Sequence, residues 1–307
     1  MMEYYREGWA QTLDPHFKEL KLQEELEEHV RYLAGKIGER NYQSYHNLQR
    51  TISYICEYWA RVGYQVQAQH YEVDGRQFTN LWVEIEGSTR PQEIVVVGAH
   101  YDSVVGTPGA DDNASAVAGL LALSGRAHGK RGECTLRFVA FANEEPPFFM
   151  SPTMGSLVYA RGCQARGDDI QAMVCLEMLG YYCEKQPETL GLLPERGDFI
   201  ALVGNPQSEE LVKRAARAFH QTVKFPLQAA APCTNLVPYA SFSDHWSFWQ
   251  CGYPAFMVTD TGPMRNPHYH LPSDLPETLD YERMTMVVFG VEGVLQALRD
   301  CHDLQNE

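Results

Sequence analysis

The run Ile94-Val95-Val96-Val97-Gly98-Ala99 is apolar at every position, and its first four residues are β-branched. A strand with one wet face alternates polar and apolar residues, so an unbroken apolar run has to be covered on both faces. Parallel sheets layered with helices provide that cover, and the rest of the chain supplies the layers. Ala114–Ala127 reads as a helix that Asn113 could cap. Strand-like Cys134–Phe141, a helix near 155–166, a strand near 170–176, a strand 199–203, a helix 208–222 and a short apolar stretch near 225–227 follow. A helix near 244–250, a strand 255–259 and a closing helix 281–300 complete the alternation. Upstream, Leu22, Leu26, Val30, Leu33 and Ile37 recur at helical spacing, and a second helix over 45–62 ends at Gly63. Asp74-Gly75 separates two extended segments, 64–73 and 78–85, as a hairpin turn would. The expectation is an α/β fold: a three-layer α/β/α sandwich with a mostly parallel, mixed central sheet and an antiparallel edge hairpin. Residues 1–24 read as an N-terminal extension and 25–307 as one domain.

Composition narrows the partners. With 25 Lys plus Arg against 40 Asp plus Glu, the formal net charge is -15, which opposes binding to nucleic acid or to an anionic membrane surface. No apolar run reaches the roughly 18 residues of a membrane span, and the acidic N-terminus does not read as a signal peptide. The eight cysteines (56, 134, 163, 175, 183, 233, 251 and 301) are scattered without a Cys-x-x-Cys pair, as buried reduced thiols are. Together these features point to the cytoplasm, although a chain trimmed of a secretory or periplasmic leader would read the same way. Oligomeric state is not legible.

The chemistry gathers where the strands end. His100, Asp102, Asp111 and Asp112 follow the opening strand, Glu144 and Glu145 follow the next, and Glu177 follows a third. In open parallel sheets, ligands bind beyond the carboxyl ends of the strands. Imidazole and carboxylate groups gathered there are a donor set for zinc.

Five motifs then suggest a family. Gly98-Ala-His-Tyr-Asp-Ser, Pro108-Gly-Ala-Asp-Asp-Asn-Ala-Ser, Phe141-Ala-Asn-Glu-Glu, Glu177-Met and Tyr269-His-x-Pro-x-Asp stand in the order of the metal motifs of zinc aminopeptidases with two co-catalytic metals. The resemblance covers roughly residues 25–300. That group also embraces glutaminyl cyclases, glutamate carboxypeptidases and the catalytically silent transferrin receptor. The resemblance implies two zinc ions bridged by Asp111, with His100 and Glu177 completing one site and Glu145 and His270 the other. Glu177 stands where the family usually has aspartate. Two ions about 3.5 to 4 Å apart can together activate a shared water and polarise a scissile carbonyl. Glu144 would be the general base, Asp102 would orient His100 through its second ring nitrogen, and Tyr269 would either stabilise the tetrahedral intermediate or serve packing. A cis peptide bond is implied between Asp111 and Asp112. The function implied is an exopeptidase acting on peptides, with an aminopeptidase first. A one-zinc glutaminyl cyclase and a non-catalytic receptor-like protein are the alternatives.

Some residues stay open at this level. Ser243-Asp244-His245 either hydrogen-bonds behind the metals or caps a helix. His268 is set aside in favour of His270. Pro146-Pro147-Phe148-Phe149-Met150 departs from the family's usual Gly-Leu-x-Gly, and its phenylalanines either wall a pocket or join the core. Arg265 meets either a substrate carboxylate or an acidic neighbour.

Overall fold

The computed structural model describes residues 15–187 and 193–300. Its centre is an eight-stranded sheet in the order β1-β2-β4-β3-β5-β8-β6-β7. The strands are β1 Gln67–Val73, β2 Arg76–Ile85, β3 Arg90–His100, β4 Cys134–Phe141, β5 Asp169–Glu177, β6 Ile200–Gly204, β7 Leu227–Ala230 and β8 Ala255–Thr259. The middle four, β4, β3, β5 and β8, are mutually parallel. The β1–β2 hairpin joins β4 antiparallel at one side, as expected, while β6 pairs antiparallel with β8 and carries β7 parallel at the other edge.

The β3 run is buried on both faces because alternate residues enter different cores. Val95, Val97 and Ala99 join a large core, and Ile94 and Val96 a smaller one. The large core is built with helices α1 Pro15–Val30, α2 Tyr45–Val62, α3 Ala116–Ala127, α5 Glu209–Thr222 and α7 Tyr281–Arg299; the smaller one with α4 Gly155–Arg166 and α6 His245–Gln250. This is the expected layering of helices on both sides of a mixed sheet. Gly98 interrupts the apolar run because a Cβ there would collide with the Phe141 ring of the neighbouring strand.

Two expectations need correction. The helix carrying Leu22 begins at Pro15 and continues in wider, π-helical geometry through Arg31–Ile37. Leu22 and Leu26 are both buried in the large core, so no boundary falls at residue 24; the first 14 residues lie outside the described set. Asn113 does not cap α3. Its amide is directed into the sheet, where Nδ2 donates to the Leu176 carbonyl at 3.2 Å and Oδ1 accepts from the Met178 N–H at 2.9 Å. None of the seven cysteines among the described residues is in a disulfide. Among those residues no helix is long and apolar enough to cross a membrane.

Candidate active site

Parallel strands deliver their carboxyl ends to the same edge of the sheet. His100 is the last residue of β3, Glu177 the last of β5, and Glu144 and Glu145 stand just past β4. His270 comes from the loop after β8, at a φ of 57°. These residues meet in two overlapping groups, His100–Asp112–Glu177 and Asp112–Glu145–His270, in each of which the candidate donor atoms lie within 4.8 Å of one another. Asp112 belongs to both. Its Oδ1 is 3.4 Å from His100 Nε2 and its Oδ2 is 3.1 Å from His270 Nε2. Glu177 Oε2 lies 3.3 Å from His100 Nε2, and Glu145 Oε2 lies 3.4 Å from His270 Nε2.

The central carboxylate is therefore Asp112, which corrects the assignment of Asp111. Asp111 faces away from both groups: its Oδ1 accepts from the Gly180 N–H at 2.9 Å and its Oδ2 from Asn266 Nδ2 at 2.7 Å. The cis peptide bond is likewise one residue later than expected, between Asp112 and Asn113. The cause is an irregular turn over Ala110–Ser115, in which Asp112 and Asn113 leave helical geometry. Gly109 enters this turn at φ 60°, where a Cβ would strike the Asp112 carbonyl. In a turn of this kind adjacent side chains point in opposite directions, and the doublet Asp111-Asp112 does not reveal which one points inward.

Two further carboxylates hold the backbone that presents these groups. Asp102 accepts from the N–H groups of Glu144 and Glu145, both at 3.1 Å. Its contact with His100 Nδ1 is 3.4 Å and outside hydrogen-bond geometry, so Asp102 grips the glutamate loop more firmly than the imidazole. Asp274 does the same for the turn, accepting from Asp111 N–H at 2.9 Å and Asp112 N–H at 3.1 Å. Asp274 closes the Tyr269-His-x-Pro-x-Asp motif, which was the available signal for it. Arg40 gave none: fully buried, it donates to the carbonyls of Tyr101, Pro108 and Gly109 and so pins the loop leading to the turn.

The other residues singled out in the sequence separate cleanly. Ser243 donates to Glu177 Oε2 at 2.6 Å, so the first member of the Ser-Asp-His segment does reach the site. Asp244 is buried and does not cap α6, and His245 Nε2 sits 2.8 Å from the Ala240 carbonyl. Tyr269 stacks on the His270 ring at 3.8 Å. His268 is turned to Ser273, 3.0 Å away. Arg265 is buried over the Phe199 ring and donates to the Phe199 carbonyl at 2.8 Å, which makes it a structural residue. Phe148 packs into the core against Tyr42 and Phe78, whereas Phe149 packs on Phe242.

Electrostatics distinguish the carboxylates. Burial raises Glu144 well above the usual carboxylate range; Glu145 and Glu177 push the same way while His100 opposes. Burial, then Asp112, lifts Glu145 to about 7. Asp112 moves down despite burial, because both imidazoles hold it charged. Burial disfavours the charge on His270, yet Asp112 and Glu145 bring it up to about 10. Burial, then the adjacent Asp260, raise Asp111 well above the usual carboxylate range, as two carboxyls facing each other do.

The donor set fits a divalent metal. His100 Nε2, Oδ1 of Asp112 and Oε1 of Glu145 are buried without a hydrogen-bond partner. Orphaned nitrogen and oxygen atoms within the two donor groups match the ligand preferences of zinc.

Comparison with known proteins agrees. The model of peptidase family M28 matches residues 80–292, more than half of the chain and all five segments that bring donor groups to the site. The chain belongs to peptidase family M28. This M28 protein is 37% identical to the uncharacterized protein YfbL of Escherichia coli (strain K12) over 283 residues, 87% of this chain and 86% of that one. It is 28% identical over 232 residues to a probable leucine aminopeptidase of Arthroderma otae, 71% of this chain, and spans only 56% of that relative's length. Among solved structures, the zinc aminopeptidase BSAP from Bacillus subtilis superposes with a TM-score of 0.73 at 14% identity, covering 89% of this chain and 94% of that one. A Bacteroides thetaiotaomicron glutaminyl cyclase bound to N-acetylhistamine gives 0.69 at 16% identity, covering 89% and 97%. At these identities the fold is shared, and both enzyme classes use it.

Proposed function

We propose that this M28 peptidase is an aminopeptidase that uses two zinc ions and removes apolar residues from the N-termini of peptides. The observation that carries the reading is Asp112, whose two oxygens face two complete donor groups. His100 and Glu177 would hold one ion with it, Glu145 and His270 the other. Bound there, the ions supply Lewis acidity and lower the pKa of water. Glu144 stands beside the groups, its Oε2 3.9 Å from His100 Nε2. Its raised proton affinity suits a base that takes the proton of the attacking water and passes it to the leaving amine. Tyr269, stacked on His270, also lines a cavity of about 270 Å³ that opens from Glu177 and is walled largely by apolar side chains, among them Met178, Leu202, Met257 and Phe242. That lining suits a first residue with an apolar side chain.

A glutaminyl cyclase with one zinc is the second reading, because the fold accommodates it. The presence of both His100 and Glu177 beside Asp112 favours two ions. The test is metal content measured together with a panel of aminoacyl amides, peptides and an N-terminal glutaminyl peptide. Two zinc ions per chain with release of the first residue support the proposal, and Glu144→Gln should then keep its metal while losing about 100- to 10,000-fold in turnover. One zinc with cyclisation of glutamine would make it a cyclase. Neither metal uptake nor turnover would make it a binding protein.

A further inference from the structure

A second recess starts at the cavity and runs toward the opposite edge of the sheet, where residues 205–208 and 252–254 meet. It is a groove of about 1050 Å³ whose lining includes Met150, Gln207, Ser241, Phe242, Trp246 and Tyr253. One of its walls grows out of a segment that carries a candidate ligand, and another out of a segment that bonds to one. Met150 stands five residues beyond Glu145, at the end of the Pro146–Met150 run. Phe242 precedes Ser243, the residue bonded to Glu177. Phe149 and Phe242 meet edge to face with ring centroids 5.4 Å apart, joining the loop after Glu145 to the loop before Ser243. Phe242 also lines the cavity, so groove and cavity meet at one side chain.

An enzyme that removes a first residue must enclose one side chain and let the remaining chain run out. The largely apolar cavity answers the first need. The groove answers the second, because its aromatic rings offer apolar contact while its amides and hydroxyls can pair with peptide N–H and C=O groups that would otherwise be stripped of water. We propose that this groove binds the leaving-group side of the substrate, so that the enzyme prefers peptides of three or more residues to aminoacyl amides and dipeptides. Trp246, half-buried in the groove wall, is the specificity-determining contact. This inference rests on the aminopeptidase reading.

The test compares kcat/KM for a leucyl tetrapeptide with that for leucinamide. Trp246→Ala should lower the tetrapeptide-to-amide ratio by about tenfold, mostly through the KM of the tetrapeptide, a loss typical of removing one aromatic anchor. Trp246→Phe should restore most of the ratio, and Gln207→Ala, an exposed residue elsewhere in the lining, should lower it more weakly. An unchanged ratio, or equal loss on both substrates, overturns the proposal. Binding of the tetrapeptide to Glu144→Gln, followed calorimetrically with and without Trp246→Ala, separates the two readings. A tenfold weakening there with no cleavage by the wild-type enzyme would keep the groove and remove the aminopeptidase assignment. Cleavage of both substrates with binding indifferent to Trp246 would do the reverse.

Discussion

At the scale of single residues, the decisive fact is that neighbours in sequence do opposite jobs. Asp112 faces two imidazoles that favour its charge, while burial and the neighbouring Asp260 raise the proton affinity of Asp111. Zinc content should therefore respond differently to the two positions. Asp112→Ala should abolish binding at both sites, whereas Asp111→Asn should retain the full metal complement and cost about 1 to 3 kcal/mol of stability through its buried hydrogen bonds. Metal analysis and urea unfolding of the two variants check this, and loss of metal in Asp111→Asn would reverse the assignment. The residue types of the site were readable because a histidine or glutamate stands at or just past the ends of β3, β4 and β5. Which aspartate turned inward was not, because it depends on the path of a backbone turn between Gly109 and Ser115.

At the scale of elements, the central strands were legible, since period and β-branching report burial directly: β8 and α2 stand at the expected bounds and β5 and α7 close to them, whereas the edge strands β1 and β7 begin two or three residues later than the segments read as 64–73 and 225–227. The fastenings between elements were not. Arg40, Asp274 and Asp102 act on backbone groups far along the chain, and backbone groups carry no sequence signature. The short helix α6 shows what such placement does to a titrating group. His245 is fully buried on it, packed against the Trp249 ring, and burial lowers its pKa to about 4. An unfolded histidine titrates near 6.5, so the unfolded chain binds the extra proton first as pH falls. The contribution of neutral His245 is fully present above about pH 6.5 and declines toward pH 4. The stability difference between wild type and His245→Gln should accordingly shrink by about 2 kcal/mol between pH 7 and pH 5. A constant difference in urea unfolding at the two pH values would show that His245 remains open to solvent.

For the whole molecule, the acidic balance of -15 continues inside, where four carboxylates, those of Asp112, Glu144, Glu145 and Glu177, crowd around His100 and His270. A bound cation relieves that crowding only in the folded state, so metal should stabilise the fold as well as activate it. Free zinc at about a hundred times its dissociation constant adds roughly 2.7 kcal/mol for one site. The chelated protein should consequently melt at least about 4 °C below the zinc-loaded one, and zinc should restore the difference. Equal melting temperatures in a calorimeter would mean that the donor groups do not hold the ion.

The paired clasps of Asp102 and Asp274 also govern where the chain can change length. Asp102 ties the β3 end to the loop after β4, Asp274 ties the last loop to the turn before α3, and Arg40 fastens the segment between them. One inserted residue in any of these stretches would slide a carboxylate off its two N–H groups. The segments around 193–194 and 228–242, which wall the cavity and part of the groove, are not the ones these three side chains fasten. Substrate preference can therefore drift by insertion and deletion in one part of the chain while the reaction centre stays in register in another.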